Sequence, residues 1–206
     1  MYTEDSPLTA RPFASPEQVV AYILSHPHDN YSDDDIRTAI VPAYFATCTS
    51  VGIDPILVIA QMIHETGNLT SFWSARPQRN PAGIGVNSRK QVDRPTDPTG
   101  WAFNTQRQVW EMGLSFKTWK DDAIPAHVGR LLAYALPKGA EDAAQRDLIK
   151  RAMTYRSLPD RLRGTASTLK PLEKVHNPAG DGWASPGADY GAKIAAVARQ
   201  IAASSL

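Results

Sequence analysis

The sequence predicts a predominantly α-helical domain of the α+β class, in which loops and a short hairpin form a lobe over a cleft. Three observations predict it. Apolar residues recur at helical spacing before residue 67 and again after residue 122, and capping and stop residues bracket those runs. Between them, residues 68 to 115 lose the period and interleave Pro, Gly, Asn and Arg with Trp73, Trp101 and Trp110. At 206 residues the chain can bury one substantial core, so a single domain over residues 15 to 206 is expected, preceded by an extended arm over residues 1 to 14.

The elements follow in order. Ser15-Pro16-Glu17-Gln18 combines a capping hydroxyl, a proline at the first helical position and a glutamine able to close a capping box, and the helix it opens ends near His26-Pro27. Ser32 and Asp35 repeat the box, with Ile36, Ile40, Ala43 and Thr47 on one face, a kink expected at Pro42 and a stop at Gly52. Asp54-Pro55 starts a third helix with Ile56, Ile59, Ala60 and Ile63 in phase, and Gly67 supplies the left-handed stop. Helical order returns at Asp122, where Ile124, Val128, Leu131, Leu132 and Ala135 form a stripe, and again over residues 142 to 155. Asp189 is expected to cap a last helix with Tyr190, Ile194, Val197 and Ile201 on its apolar face.

Composition excludes several classes. Lys plus Arg number 22 against 21 Asp plus Glu, so the whole-chain charge draws the protein toward neither nucleic acid nor membrane. No apolar run reaches the roughly 20 residues of a membrane span, and the first residues lack the pattern of a secretion signal. Cys48 is the only cysteine, which leaves no internal disulfide and no thiolate cluster. His64-Glu65 lacks the second histidine of a zincin, position 68 being Asn68, so no metal and no cofactor is expected. Neither a nucleophile elbow nor a phosphate loop is present.

Glu65 lies in the last turn of the third helix, where the partial negative charge of the helix end disfavours an ionised acid. Val58 and Met62 share its face and desolvate it. Both effects raise its pKa, as a general acid working near neutral pH requires. The alternative is an exposed glutamate with no role.

The run Ala60-Gln61-Met62-Ile63-His64-Glu65-Thr66-Gly67, followed by Asn80-Pro81-Ala82-Gly83-Ile84-Gly85, resembles the pattern of glycoside hydrolase family 73. Phe116-Lys117-Thr118-Trp119 with Ile124 and His127, and then Trp183-Ala184-Ser185-Pro186 with Asp189-Tyr190, are similar to two further elements of that family in the same order. The resemblance covers roughly residues 50 to 200. It implies a lysozyme-like domain that hydrolyses the β-1,4 bond between N-acetylglucosamine and N-acetylmuramic acid, and it gives Glu65 the role of general acid. It also implies that Gln61 lies beside the substrate, that Gly83 and Ile84 line the cleft floor, and that Trp183 or Tyr190 faces the sugar.

The sequence departs from the family at Pro81-Ala82, at Gly85-Val86, which lacks the usual lysine, and between Asn104 and Val109, which hold no acid. A second carboxylate must then come from Asp93, Asp97 or Glu111; Asp97 is preferred because its Pro-rich, Gly-flanked loop can swing over a cleft, the alternative being a solvated turn aspartate. Trp73 and Trp101 are expected to stack on glycan, or else to pack their own loops. Six basic residues against three acids in the same segment give it a positive balance suited to anionic wall polymers, or simply a solvated loop surface.

The expected partner is therefore the glycan strand of peptidoglycan, met outside the cytoplasm or at the cell wall, by a chain exported without a leader of its own or belonging to a longer protein. A lytic transglycosylase, which needs only one acid, and an inactive glycan-binding module on the same scaffold are the competing readings.

Overall fold

The computed structural model describes residues 1–185 and 187–205 and has six α-helices and a three-stranded antiparallel sheet. The helices are α1 (Pro16–Leu24), α2 (Val41–Val51), α3 (Pro55–Thr66), α4 (Ile124–Ala135), α5 (Ala143–Tyr155) and α6 (Tyr190–Ala203). The strands β1 (Lys90–Gln91), β2 (Trp101–Asn104) and β3 (Val109–Met112) lie between α3 and α4 in the spatial order β1-β3-β2. In the β2–β3 hairpin Trp101 pairs with Met112 and Asn104 with Val109. The irregular segment is thus a small sheet wrapped in loops beside a helical body. Among the described residues, no helix is long and apolar enough to cross a membrane.

Helix α3 is the axis of the core. All of its residues from Pro55 to Ile63, and Thr66, are buried, leaving only His64 and Glu65 at its end toward the surface. Asp54 starts it by accepting the Ile56 N–H at 2.8 Å, and Gly67 ends it in the left-handed region at φ 56°. The chain stays left-handed through Asn68 and Leu69, a costly conformation held by the Asn68 amide, which donates to the Ile23 and Pro27 carbonyls at 2.9 and 3.0 Å. Helices α2 and α6 pack on α3, and α4 packs on α5 so closely that a Cβ at Gly129 would stand 2.5 Å from the Leu148 carbonyl oxygen.

Proline at the second position of α2 and α4 shapes how each of these helices begins. A proline in a helix removes a donor and crowds the carbonyl four residues back. In each case the preceding turn widens to an i→i−5 pattern: Val41 donates to the Ile36 carbonyl ahead of Pro42, and Ile124 donates to the Trp119 carbonyl ahead of Pro125. The kink expected at Pro42 is absorbed by this π turn over Asp35–Ile40, which the Ser32–Asp35 capping box opens. The second such turn, Trp119–Ala123, starts helical structure three residues earlier than Asp122, because the Thr118 hydroxyl accepts the Asp121 N–H at 2.9 Å.

Two expectations need correction. Asp189 precedes α6 but lies in the left-handed region at φ 58° and makes no side-chain cap. The cap is Glu173, buried and distant in sequence, whose Oε1 accepts the Gly191 N–H at 2.9 Å. On the apolar face of α6, Ala195 and Ala198 are fully buried beside Ile194 and Ile201, while Val197 is only half-buried.

The N-terminal segment is extended but integral to the core. Tyr2 and Leu8 are buried, Leu8 donates to the Ser167 carbonyl at 2.8 Å, and the Tyr2 hydroxyl donates to Asp54 Oδ2 at 2.8 Å. This segment therefore supports the cap of α3. In urea denaturation, Asp54→Ala is expected to cost about 2 kcal/mol, since it removes the helix cap and strands the tyrosine hydroxyl, and Tyr2→Phe about 1 kcal/mol. Equal and negligible effects would show that the segment contributes nothing to α3.

Candidate active site

Glu65 leaves the end of α3 into a hollow between the helical body and the lobe. Its Oε1 accepts two hydrogen bonds, from Trp183 Nε1 at 3.2 Å and from the Tyr190 hydroxyl. Its Oε2 faces Gly83, where an added Cβ would come within 4.0 Å; Gly83 is at φ +60°, so its backbone also favours glycine. Burial pushes the Glu65 carboxyl above the usual carboxylate range, against the two hydrogen bonds, which favour the charged form. With Oε1 occupied as an acceptor, the proton of the neutral acid resides on Oε2, toward Gly83.

Behind Glu65 lies a chain of buried polar groups. The Tyr190 hydroxyl donates its hydrogen bond to Glu65, so its oxygen must accept, and it does so from Gln61 Nε2 at 2.7 Å. That orientation turns Gln61 Oε1 to His127 Nε2 at 2.9 Å, and His127 Nδ1 then accepts from the Tyr44 hydroxyl at 3.0 Å. Each of the four bonds donates in the direction of Glu65. His127 is fully buried, and burial pushes its pKa down to about 3, which keeps it neutral, while the acceptor Gln61 Oε1 places its single proton on Nε2.

The loop facing Glu65 is built by one side chain. Asn80 Oδ1 accepts the Ala82 and Ile84 N–H groups at 3.3 and 2.9 Å, while Nδ2 donates to the Ile84 and Leu114 carbonyls at 2.8 and 3.0 Å. It therefore folds Pro81-Ala82-Gly83-Ile84 into a tight turn and ties it to Leu114 in the segment that follows β3. Gly83, Ile84 and Trp183 line a small pocket together with Arg130 and Arg156. No carboxylate is among the described residues that line it.

The structure thus brings Gln61, Glu65, Gly83, Ile84, Trp183 and Tyr190 together, with Trp183 half-buried at the pocket and Tyr190 buried behind the acid. Pro186 lies outside the described residues. The lobe candidates stand elsewhere. Asp97 is exposed, and its Oδ1 accepts the Thr99 N–H at 2.9 Å in a surface turn that holds its carboxyl below the usual range. Asp93 is also exposed. Glu111 is buried in the sheet, where Oε1 meets Asn104 Nδ2 at 3.1 Å, Arg107 at 3.2 Å and Lys90 at 3.4 Å. Trp73 is buried with its ring against Gly113, and Trp101 lines a separate groove of about 380 Å3 with Trp110 and Arg94.

Sequence reasoning gave no role to Asn80, Tyr44, Arg130 or Arg156. Asn80 and His127 stood in the matched motifs, and a histidine on an otherwise apolar helix face was the available signal for the buried chain; nothing marked the two arginines.

Two measurements follow from the electrostatics. A carboxyl whose folded pKa is raised destabilises the folded state once pH exceeds its unfolded pKa. Glu65→Gln should therefore match the wild type in Tm at acid pH and exceed it increasingly as pH rises through and above the ordinary glutamate range; a pH-independent difference would contradict the raised pKa. The Tyr190 hydroxyl favours ionised Glu65, so Tyr190→Phe should move any pH–rate limb that reports Glu65 to higher pH, while a move to lower pH would contradict the hydrogen bond.

The model of the mannosyl-glycoprotein endo-beta-N-acetylglucosaminidase family matches residues 41–203. Among solved structures, the chain is similar to that of S. aureus Autolysin E in complex with the muropeptide NAM-L-Ala-D-iGlu, at 12% identity and a TM-score of 0.49 over 98% of this chain and 72% of that one. No curated protein sequence matches. By its family match, which spans α2 to α6 and takes in Glu65 with the groups around it, the chain belongs to the endo-beta-N-acetylglucosaminidases, a family of glycoside hydrolases.

Proposed function

We propose that the chain cleaves the β-1,4 bond between N-acetylglucosamine and N-acetylmuramic acid in peptidoglycan, with Glu65 as the general acid. The observation that carries this reading is the asymmetry of the Glu65 carboxyl. Oε1 is held by Tyr190 and Trp183, burial favours the protonated form, and Oε2 is the carboxyl oxygen turned toward the Gly83 turn. As the bond to the leaving sugar breaks, the proton passes from Oε2 to that oxygen. The carboxylate left behind keeps its two donors, which is the state they stabilise best.

The positive charge that develops at the anomeric carbon needs a partner. Among the described residues Asp93 and Asp97 are exposed and Glu111 is committed inside the sheet, which supports a reading in which the 2-acetamido oxygen of the N-acetylglucosamine unit fills that role, closing on the anomeric carbon as the leaving group departs. Glu65, now ionised, then takes a proton from the water that opens this intermediate. The same lack of a second acid favours one other reading, a lytic transglycosylase, in which a muramyl hydroxyl replaces water. A wall substrate places the working enzyme outside the cytoplasm.

Digestion of purified peptidoglycan, borohydride reduction and mass spectrometry test the assignment. Reduced N-acetylglucosamine ends are expected from the wild type, and at least about 100-fold fewer from Glu65→Gln, the scale of a lost general acid. Anhydromuramyl ends would instead establish the transglycosylase, and binding to the wall with no product from either protein would leave only a glycan-binding module.

A further inference from the structure

The pocket beside Gly83 has a charge distribution that acid catalysis does not require. Arg130 projects from α4 and Arg156 follows the end of α5, and both line the pocket with Trp183. Arg130 is held in place by its own Nη1, which donates to the Arg156 and Ser157 carbonyls at 3.1 and 3.2 Å. Its guanidinium lies 5.8 Å from the Trp183 ring centroid and 5.9 Å from that of Tyr134. Arg156 is exposed at the pocket mouth.

Neither guanidinium has an acidic partner among the described residues. Asp181, an acid that acts electrostatically on Tyr134, is paired with Arg161 at 3.0 Å. Burial works most strongly against the charge on Arg130 and the nearby Arg156 adds to it, with Tyr134 offsetting part of both. Two like charges converging on one pocket without a carboxylate are unfavourable unless an anion joins them. The pocket is small, about 110 Å3, and its lining is cationic, which suits an acid group on the substrate.

The two walls connect this pocket to the chemistry. Gly83 lines it and also faces Glu65 Oε2, and Trp183 stands near Arg130 while its Nε1 donates to Glu65. We propose that Arg130 and Arg156 form a subsite for a carboxylate carried on the muramyl side chain, so that the enzyme places the scissile bond by reading the charge of the sugar next to it. The proposal rests on the peptidoglycan reading above. The carboxylate has two possible sources, the lactyl group of a bare muramyl unit or the first free carboxylate of its peptide stem. A guanidinium fork recognises either.

Binding to a Glu65→Gln background, which separates recognition from turnover, tests it. Calorimetric titration at low salt would compare three probes: neutral N,N′-diacetylchitobiose, the disaccharide N-acetylglucosaminyl-N-acetylmuramic acid, and the same disaccharide carrying L-Ala-D-Glu. At least one acidic probe is expected to bind about 10-fold more tightly than chitobiose, and Arg156→Gln should remove that preference without changing the affinity for chitobiose. Arg130→Lys, which keeps the charge and loses the fork, should weaken the preference as well. The acidic probe that responds identifies the source.

Equal affinity for all three probes, or a preference that survives both arginine substitutions, would overturn the subsite. Failure of the peptidoglycan reading has a different signature, namely no product from the wild type on the wall. Arg156 is exposed, so its substitution leaves the fold intact, and circular dichroism verifies this for both variants.

Discussion

The position of one carboxyl group governs the rest of this structure. Glu65 sits at the end of a helix that is buried along nearly its whole length, where both the helix dipole and desolvation oppose its ionisation. Such a group is tolerated only if its surroundings supply donors and its backbone is fixed. The donors are Tyr190 and Trp183, brought from the far end of the chain. The backbone is fixed at one end by Asp54 and Tyr2 and at the other by the left-handed run from Gly67 to Leu69. Segments more than a hundred residues apart thus meet at a single side chain.

The buried chain from Tyr44 through His127 and Gln61 to Tyr190 explains how the donor is kept in register. A tyrosine hydroxyl rotates freely unless its oxygen has a donor of its own, and here Gln61 provides one. Gln61 is oriented by its Nε2, which donates to Tyr190, so its Oε1 can only accept from His127 Nε2; that sets the His127 tautomer and leaves Nδ1 to accept from Tyr44. Burial holds the imidazole neutral, so the chain contains no mobile charge and acts as a brace. In a low-dielectric interior such aligned bonds polarise one another, and the last one falls on Glu65.

Local signals in the sequence marked the helices well, because caps and stops are local chemistry. Ser15 with Gln18, Asp54 and Gly67 all act in the structure as their residue types suggest. Where a cap comes from far away the sequence misleads: Asp189 has the right residue type, yet Glu173 does the work from another loop. The tryptophans show the same limit. Trp183 stands at the pocket, whereas Trp73 packs beneath the hairpin against Gly113, and composition alone cannot separate these two uses of an indole. The cluster around Glu65 was partly legible through motif order, which stands in for the long-range geometry that spacing cannot give.

The commitments of the acids in the lobe bear on the chemistry. Asp97 closes its own surface turn, and Glu111 is needed inside the sheet to satisfy Asn104 and to neutralise Arg107 and Lys90. Freeing Glu111 to face a substrate would leave two bases and a buried amide without their partner, a cost that a lobe with so small a sheet has little means to offset. The carboxylates that the sequence offered as a second catalytic group are thus either exposed or structurally committed. Among the described residues, Glu65 beside a small cationic pocket is what remains at the proposed site, and that arrangement fits the proposed substrate, which brings both an acetamido group and a negative charge of its own.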